Sequence, residues 1–200
     1  MKPILFNTEM VRAILDGRKT QTRRINKDGG ECSMPDMSLF DAETRTYGVH
    51  HYQAPGYDFR NKIACVEAPV PICPGDILYV RETWREDFEY AGPFDSALYF
   101  HKASNPNYTG PWRPSIHMPK DAARIFLRVT DVRVERLQHI TRDGAISEGC
   151  NAAIPVLEFQ EVWDTTIKPA DRDRYGWDAN PWVWVYTFKR CGKEGESWNI

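Results

Sequence analysis

Cations and hydroxyls crowd residues 17 to 24, whose letters read GRKTQTRR. The stretch holds two hydroxyls, those of Thr20 and Thr22, and the amine of Lys19. It also holds three arginines whose charge suits the phosphates of a nucleic acid: Arg18, Arg23 and Arg24.

A helix and then a strand are predicted to position these side chains. Apolar residues at helical spacing predict a short helix that has Thr8 as its N-cap and ends at Gly17. The following residues read as extended chain, in which residues an even number apart share a face. Lys19 and Thr22 are three apart, so they meet in one pocket only if the chain bends between them. The alternative interpretation is a helix end followed by a solvated basic edge strand.

This motif resembles that of the ASCH domain, a member of the PUA-like superfamily, and most closely its phage and prophage members. Two other pieces stand in the order of that family, Pro74-Gly75-Asp76 before a strand and the stretch from Trp182 to Arg190 that closes the chain. The resemblance covers residues 2 to 25 and 72 to 190. It implies an α+β fold with a small, mainly antiparallel PUA-like β-barrel flanked by helices.

Some bacterial ASCH proteins are amidohydrolases that remove the acetyl group from N4-acetylcytidine, and the resemblance implies where their residues fall. The base falls on Lys19, the nucleophile on Thr22, the trailing arginine on Arg24 and the acidic residue on Glu148. Glu148 would hold Lys19 or the exocyclic nitrogen of the cytosine. A lysine serves as a base at neutral pH only if its pKa falls from about 10.4 to about 7 or 8, which a close carboxylate opposes.

A second hypothesis, from another class, uses the same residues without catalysis. The chain would then be a reader of RNA or of a modified nucleoside, with cations on the backbone and aromatic side chains on the bases. A ribonuclease that uses Lys19 with His117 is a third hypothesis. Besides the three arginines, the side chains expected to bind substrate are Glu82, Trp112, Arg113, His117 and Trp177.

Composition and charge limit the class of partner. The 200 residues are 42% hydrophobic and include 7 Trp, 9 Tyr and 9 Phe, enough for a sizeable core. The formal net charge of −2 excludes a protein that coats nucleic acid nonspecifically. Residues 1 to 30 nevertheless carry seven cations against three acids, so any contact with nucleic acid is expected to be local.

Cysteine spacing and hydropathy predict a cytoplasmic protein with reduced thiols. The five cysteines include no C-x-x-C pair, and there is no signal peptide or apolar run of membrane-spanning length. Cys65 and Cys73 with His50 and His51 fit no zinc-finger spacing. No metal, cofactor or membrane partner is therefore expected, and the oligomeric state is left open.

The remaining patterns predict one domain over residues 1 to 190, a long insert at 26 to 72 and a flexible tail at 191 to 200. The insert has no sustained period and reads either as a variable insertion or as a lid. Strands are predicted at 77 to 84, 97 to 101, 124 to 137 and 182 to 188, the last buried on both faces. Helices are predicted after Thr141 and from Pro155, with Trp163 in the core.

Overall fold

The structure is a computed structural model that describes residues 1–27, 33–41, 43–51, 65–87 and 98–195. The chain divides into two compact units. The first unit comprises Met1–Thr20, Gly75–Val129 and Phe188–Ile200. The second comprises Gln21–Pro74 and Thr130–Thr187.

Strands and helices are both well represented, which confirms the predicted α+β class. The described residues form ten strands: β1 (Lys2–Leu5), β2 (Gln21–Ile25), β3 (Ser33–Asp41), β4 (Thr46–His51), β5 (Cys65–Pro69), β6 (Ile77–Arg81), β7 (Trp84–Asp87), β8 (Leu98–His101), β9 (Phe126–Arg136) and β10 (Trp182–Cys191). They also form four α-helices: α1 (Thr8–Leu15), α2 (Arg142–Ser147), α3 (Pro155–Thr166) and α4 (Arg172–Tyr175). These elements do not distinguish a PUA-like barrel from other α+β folds, so the barrel stays a prediction.

In the first unit, β1 pairs in parallel with β6, and β6 pairs antiparallel with β9. The inward side chains of β6, Leu78 and Val80, are fully buried. The strand predicted at 77 to 84 is interrupted at residues 82 and 83, and its last residue, Trp84, begins β7. Strands β7 and β8 form a separate antiparallel pair in which Trp84 lies opposite His101.

Helix α1 precedes the basic motif, as predicted, but its cap is one residue earlier than expected. The Asn7 side chain accepts a hydrogen bond of 2.8 Å from the backbone N–H of Met10, and Thr8 is the first helical residue. An N-cap needs extended backbone, and Asn7 has it at φ −74° and ψ 170°. The helix ends, as predicted, before Gly17, whose φ of 76° is the left-handed conformation that glycine adopts without strain.

In the second unit, β10 pairs antiparallel with β2, which places Thr22 opposite Tyr186 and Arg24 opposite Trp184. The insert contains a three-stranded antiparallel sheet in the order β3-β4-β5. No strand is predicted in this insert, because its sequence shows no sustained period. The pairing of β3 with β4 shifts register between Asp36 and Asp41, and such an irregularity breaks the alternation by which a strand is read from sequence.

The core of the second unit confirms several predictions. Thr141 caps α2 by accepting a hydrogen bond of 3.0 Å from the Gly144 N–H, and α3 begins at Pro155. Trp163 packs in the buried cluster formed by α2, α3 and β10. Strand β10 is buried on both faces, because consecutive residues from Val183 to Tyr186 are all buried.

Strand β10 runs three residues beyond its predicted end, to Cys191. The Cys191 thiol is buried, and its burial raises its pKa, although the nearby Arg128 guanidinium lowers it. Arg128 also donates a short hydrogen bond to the Gly195 carbonyl, so the chain is held up to that residue. The rest of the predicted tail, 196 to 200, lies outside the described residues.

Candidate functional site

The basic motif is largely buried. Lys19, Thr22 and Arg23 are 2%, 3% and 4% exposed, so the interpretation of a solvated basic strand is wrong for these residues. Arg18 is exposed and donates a hydrogen bond of 3.1 Å to Asp16. Lysine and arginine side chains are almost never this buried unless they are paired. Lys19 and Arg23 therefore need neighbours that compensate their charge.

Lys19 lies in the first unit, directly after α1. Its backbone N–H donates a hydrogen bond of 2.9 Å to the Ala13 carbonyl, which ties it to the helix end. Its Nζ lies 5.4 Å from the centroid of the Phe6 ring, and Phe6 contacts Phe188 at 6.3 Å between ring centroids. The ring quadrupole offsets part of the cost of removing the ammonium from water.

Thr22 and Arg24 share one face of β2 in the second unit. The opposed residues of β10, Tyr186 and Trp184, stack on each other with ring centroids 6.3 Å apart. Burial lowers the pKa of Arg24, while the Glu148 carboxylate and Tyr186 raise it. The predicted nucleophile thus lies beside an arginine that interacts electrostatically with the predicted acid.

Arg23, on the other face of β2, is engaged with its own chain. It donates hydrogen bonds of 3.0 and 2.7 Å to Glu135 Oε1 and one of 3.1 Å to Glu148 Oε1. Its guanidinium carbon lies 5.7 Å from the Phe159 ring centroid. The Arg23 side chain is 1% exposed, so the predicted contact of Arg23 with a substrate would require these surroundings to open.

Glu148 is positioned by the end of α2. Its backbone N–H donates to the carbonyls of Gly144 and Ala145 at 3.0 and 3.1 Å, and its residue is 7% exposed. Gly144 allows Arg23 to approach, because a Cβ at that position would lie 3.2 Å from Arg23 Nη2. The predicted acid is therefore a buried carboxylate, oriented by a helix end and held by an arginine.

Glu82, in the first unit, is 1% exposed and forms a bidentate ion pair. Arg124 Nε and Nη2 donate to its two oxygens at 2.9 and 3.0 Å. Arg124 also donates to Ser104 Oγ at 2.7 Å. A substrate that contacted Glu82 would compete with Arg124 for the two carboxylate oxygens.

His101 shares these surroundings. Its Nε2 lies 2.9 Å from the Ala122 carbonyl oxygen. Its burial lowers its pKa, whereas Glu82 and the carbonyl raise it and Arg124 lowers it. Sequence reasoning missed His101 and Arg124, since neither lies in a motif and Arg124 is 42 residues from its partner.

The remaining predicted residues fall in different surroundings. In the first unit, Trp112 is partly buried, Arg113 is exposed above the Trp84 ring at 5.2 Å, and His117 is exposed in a short 3-10 turn. In the second unit, Trp177 packs against Phe159 at 6.3 Å between centroids and extends the hydrophobic core. Trp112 and Arg113 are thus placed to contact a ligand from solvent, and Trp177 is mainly a packing residue.

The described ranges hold neither a cluster of metal ligands nor a membrane-spanning helix. Within them, no three His, Cys, Asp or Glu side chains are grouped to hold a metal ion. The His50, His51 and Cys65 side chains lie outside that description. The helices that the structure describes include none with the length and apolar character needed to cross a membrane.

The chain was compared with protein-family models, curated proteins and solved structures, and none of these comparisons gave a match. The ASCH resemblance therefore rests on the residues that carry it.

Proposed function

We propose that this chain is an amidohydrolase that removes an acyl group from a modified nucleoside such as N4-acetylcytidine. The observation that carries the proposal is the burial of Lys19 and Thr22, which are 2% and 3% exposed and so do not fit the alternative interpretation of a solvated basic strand. A cation that only attracts phosphates works from the surface. Burying an amine and a hydroxyl costs solvation, and charged groups held in such surroundings are candidates for functional sites.

In the proposed reaction, Thr22 Oγ1 attacks the acyl carbonyl carbon while Lys19 takes the hydroxyl proton. Arg24 or backbone N–H groups stabilise the oxyanion that forms. The C–N bond then breaks, and Lys19 returns the proton to the departing exocyclic amine. Water hydrolyses the acyl ester on Thr22, which releases the carboxylic acid and restores the hydroxyl.

The fold and cellular setting are part of the proposal. The resemblance that suggests the reaction also implies a PUA-like barrel, and the α+β class supports it. The buried Cys191 thiol, which forms no disulfide, supports a reducing, cytoplasmic setting.

The test is release of cytidine from N4-acetylcytidine, which chromatography measures over time. Thr22→Val removes the hydroxyl at nearly constant shape, and Lys19→Met replaces the amine by an apolar chain of similar length. Each should lower turnover by about 1,000-fold or more, as expected for residues that act together. Thr20→Val is the control, because Thr20 is exposed and should leave turnover unchanged. Full activity in the Thr22 or Lys19 variants, or none in the unmodified protein, would refute the proposal.

A non-catalytic reader of RNA or of a modified nucleoside is the second candidate. It is favoured by the ion pair of Glu148 with Arg23, since a carboxylate in such a pair is less available to a substrate. Calorimetric titration with N4-acetylcytidine and with cytidine distinguishes the candidates. Saturable binding without release of cytidine supports the reader, and turnover supports the enzyme.

A further inference from the structure

Four side chains share one face of the β2–β10 pair in the second unit, here named the Thr22 face: Thr22 and Arg24 of β2, and Tyr186 and Trp184 of β10. The antiparallel register is regular over five consecutive residues of each strand. Residues directly opposite each other in such a pair point to the same face, and their Cβ atoms lie about 4.5–5.5 Å apart. Tyr186 is therefore the direct cross-strand neighbour of Thr22, the proposed nucleophile.

The Tyr186 ring is held in place beside Thr22. It is among the largest fully buried side chains of the described residues. It stacks on the buried Trp184 ring, with the two planes 14° apart and the centroids 6.3 Å apart. Side chains packed at the density of a protein interior keep defined rotamers, so the ring does not swing aside easily.

The surroundings of Tyr186 also fix the direction in which it points. Burial lowers the pKa of the Arg24 guanidinium, whereas Glu148 and then Tyr186 raise it, so the phenol lies within electrostatic reach of Arg24. Val185, the preceding residue of β10, points to the other face and packs in the core cluster of α2 and α3. The phenol ring is thus directed to the face that carries Thr22.

We propose that Tyr186 determines the size of the acyl group that is removed, so that an acetyl group is accepted and longer or branched groups are rejected. The inference rests on the proposed function, because it concerns the ester formed on Thr22. In that step a bond forms between the acyl carbonyl carbon and Thr22 Oγ1, the C–N bond breaks, and the hydroxyl proton passes through Lys19 to the departing amine. The carbon chain of the acyl group is then bonded next to Thr22 Oγ1.

This position sets the limit on chain length. An acetyl group has one methyl beyond its carbonyl, whereas each further methylene must fit beside the fixed ring of Tyr186. A methylene added against the wall of a closely packed site changes kcat/KM by about 10- to 200-fold. The steric effect needs the ring of Tyr186 and not its hydroxyl.

The test is a series of cytidines that carry an acetyl, propionyl, butyryl or pivaloyl group on N4, with kcat/KM measured for each. The unmodified protein should favour acetyl over propionyl by about 10- to 200-fold. Tyr186→Val should remove most of this preference by raising kcat/KM for the longer groups, and Tyr186→Phe should retain it. Val185→Ala is the matched control, because it truncates a buried side chain of the same strand on the other face. It should lower stability and leave the acyl preference unchanged.

The preference is a ratio measured within one variant, so a smaller fraction of active protein does not alter it. Trp184→Leu gives a second test if Tyr186→Val does not fold, because it removes the ring that supports Tyr186 and should weaken the preference. The inference is overturned if the unmodified protein removes all four groups equally well, or if the preference is the same in Tyr186→Val or Trp184→Leu as in the unmodified protein. Absence of turnover with every substrate would refute the proposed function, and this inference with it.

Discussion

The Arg23 guanidinium and the Glu148 carboxylate form an ion pair that is buried on both sides. Nη1 lies 3.1 Å from Oε1, and the two side chains are 1% and 5% exposed. Arg23 also pairs with Glu135 at 2.7 Å, so one cation compensates two carboxylates. A buried pair is not by itself a large source of stability, but removing one partner leaves charge without compensation.

Arg23→Gln is therefore expected to lower the free energy of unfolding by at most about 3–5 kcal/mol, because two carboxylates lose their common partner while Glu135 keeps its pair with Arg133 and Glu148 keeps its interaction with Arg24. Urea denaturation measures this change. Arg18→Gln is the matched control from the same motif, since the Arg18–Asp16 pair is exposed and solvent screens it to less than about 1 kcal/mol. Equal effects of the two substitutions would show that the buried network contributes nothing specific.

The cap of α1 gives a second comparison between neighbouring residues. Asn7→Ala removes the side-chain acceptor of the Met10 N–H and should cost about 1 kcal/mol of stability. Thr8→Ala, one residue later, should cost much less, because alanine is a better helix former than threonine. Thermal unfolding of both variants decides which residue caps the helix, and a larger loss at Thr8 would contradict the structure.

Burial of His101 makes stability depend on pH. Its pKa is lower in the folded protein than in the unfolded chain, mainly because burial disfavours the charged ring. The unfolded state therefore takes up more protons as pH falls below about 6.5, and stability falls by at most about 1.4 kcal/mol per pH unit. Above that pH the contribution is fully present.

Unfolding measured between pH 5 and pH 8 should show this decline, and His101→Gln should reduce its slope. His117→Gln is the control for replacing a histidine at an exposed position. An identical slope after His101→Gln would mean that other groups cause the decline.

Gly144→Ala is expected to destabilise the protein by about 1 kcal/mol, although alanine normally favours a helix by a similar amount. The added methyl group would lie 3.2 Å from Arg23 Nη2 and 3.3 Å from Ile140 and from the Thr141 hydroxyl. Arg23 is fixed by two carboxylates and Thr141 by its capping bond, so neither yields easily. A rise in melting temperature would show that these neighbours move without cost.

Local signals explain which parts of the fold are readable from sequence. Thr141 and Pro155 begin their helices because capping and the fixed φ of proline act on adjacent residues. The apolar run of β10 is also a signal carried by adjacent residues, and it predicts burial on both faces of the strand. In contrast, the strands of the insert depend on pairing with one another. The register shift between β3 and β4 interrupts the alternation of apolar and polar residues by which a strand is recognised in a sequence.

The candidate site is less predictable because its partners are distant in sequence. Arg23 meets Glu135 and Glu148 across 112 and 125 residues. No spacing rule relates such positions, so Arg23 reads as a solvated cation until the structure is known. The motif residues themselves were identifiable, since they lie within eight positions of one another.

The rate at which the Cys191 thiol reacts can report local opening at the end of β10. A thiol whose pKa is raised is mostly protonated at neutral pH, and the protonated form reacts slowly with alkylating reagents. Cys191 should therefore be modified only after the last residues of β10 have separated from the rest of the fold and exposed the thiol. Its labelling rate, compared with that of Cys73 and Cys150, would report whether the C-terminal edge frays before the whole chain unfolds.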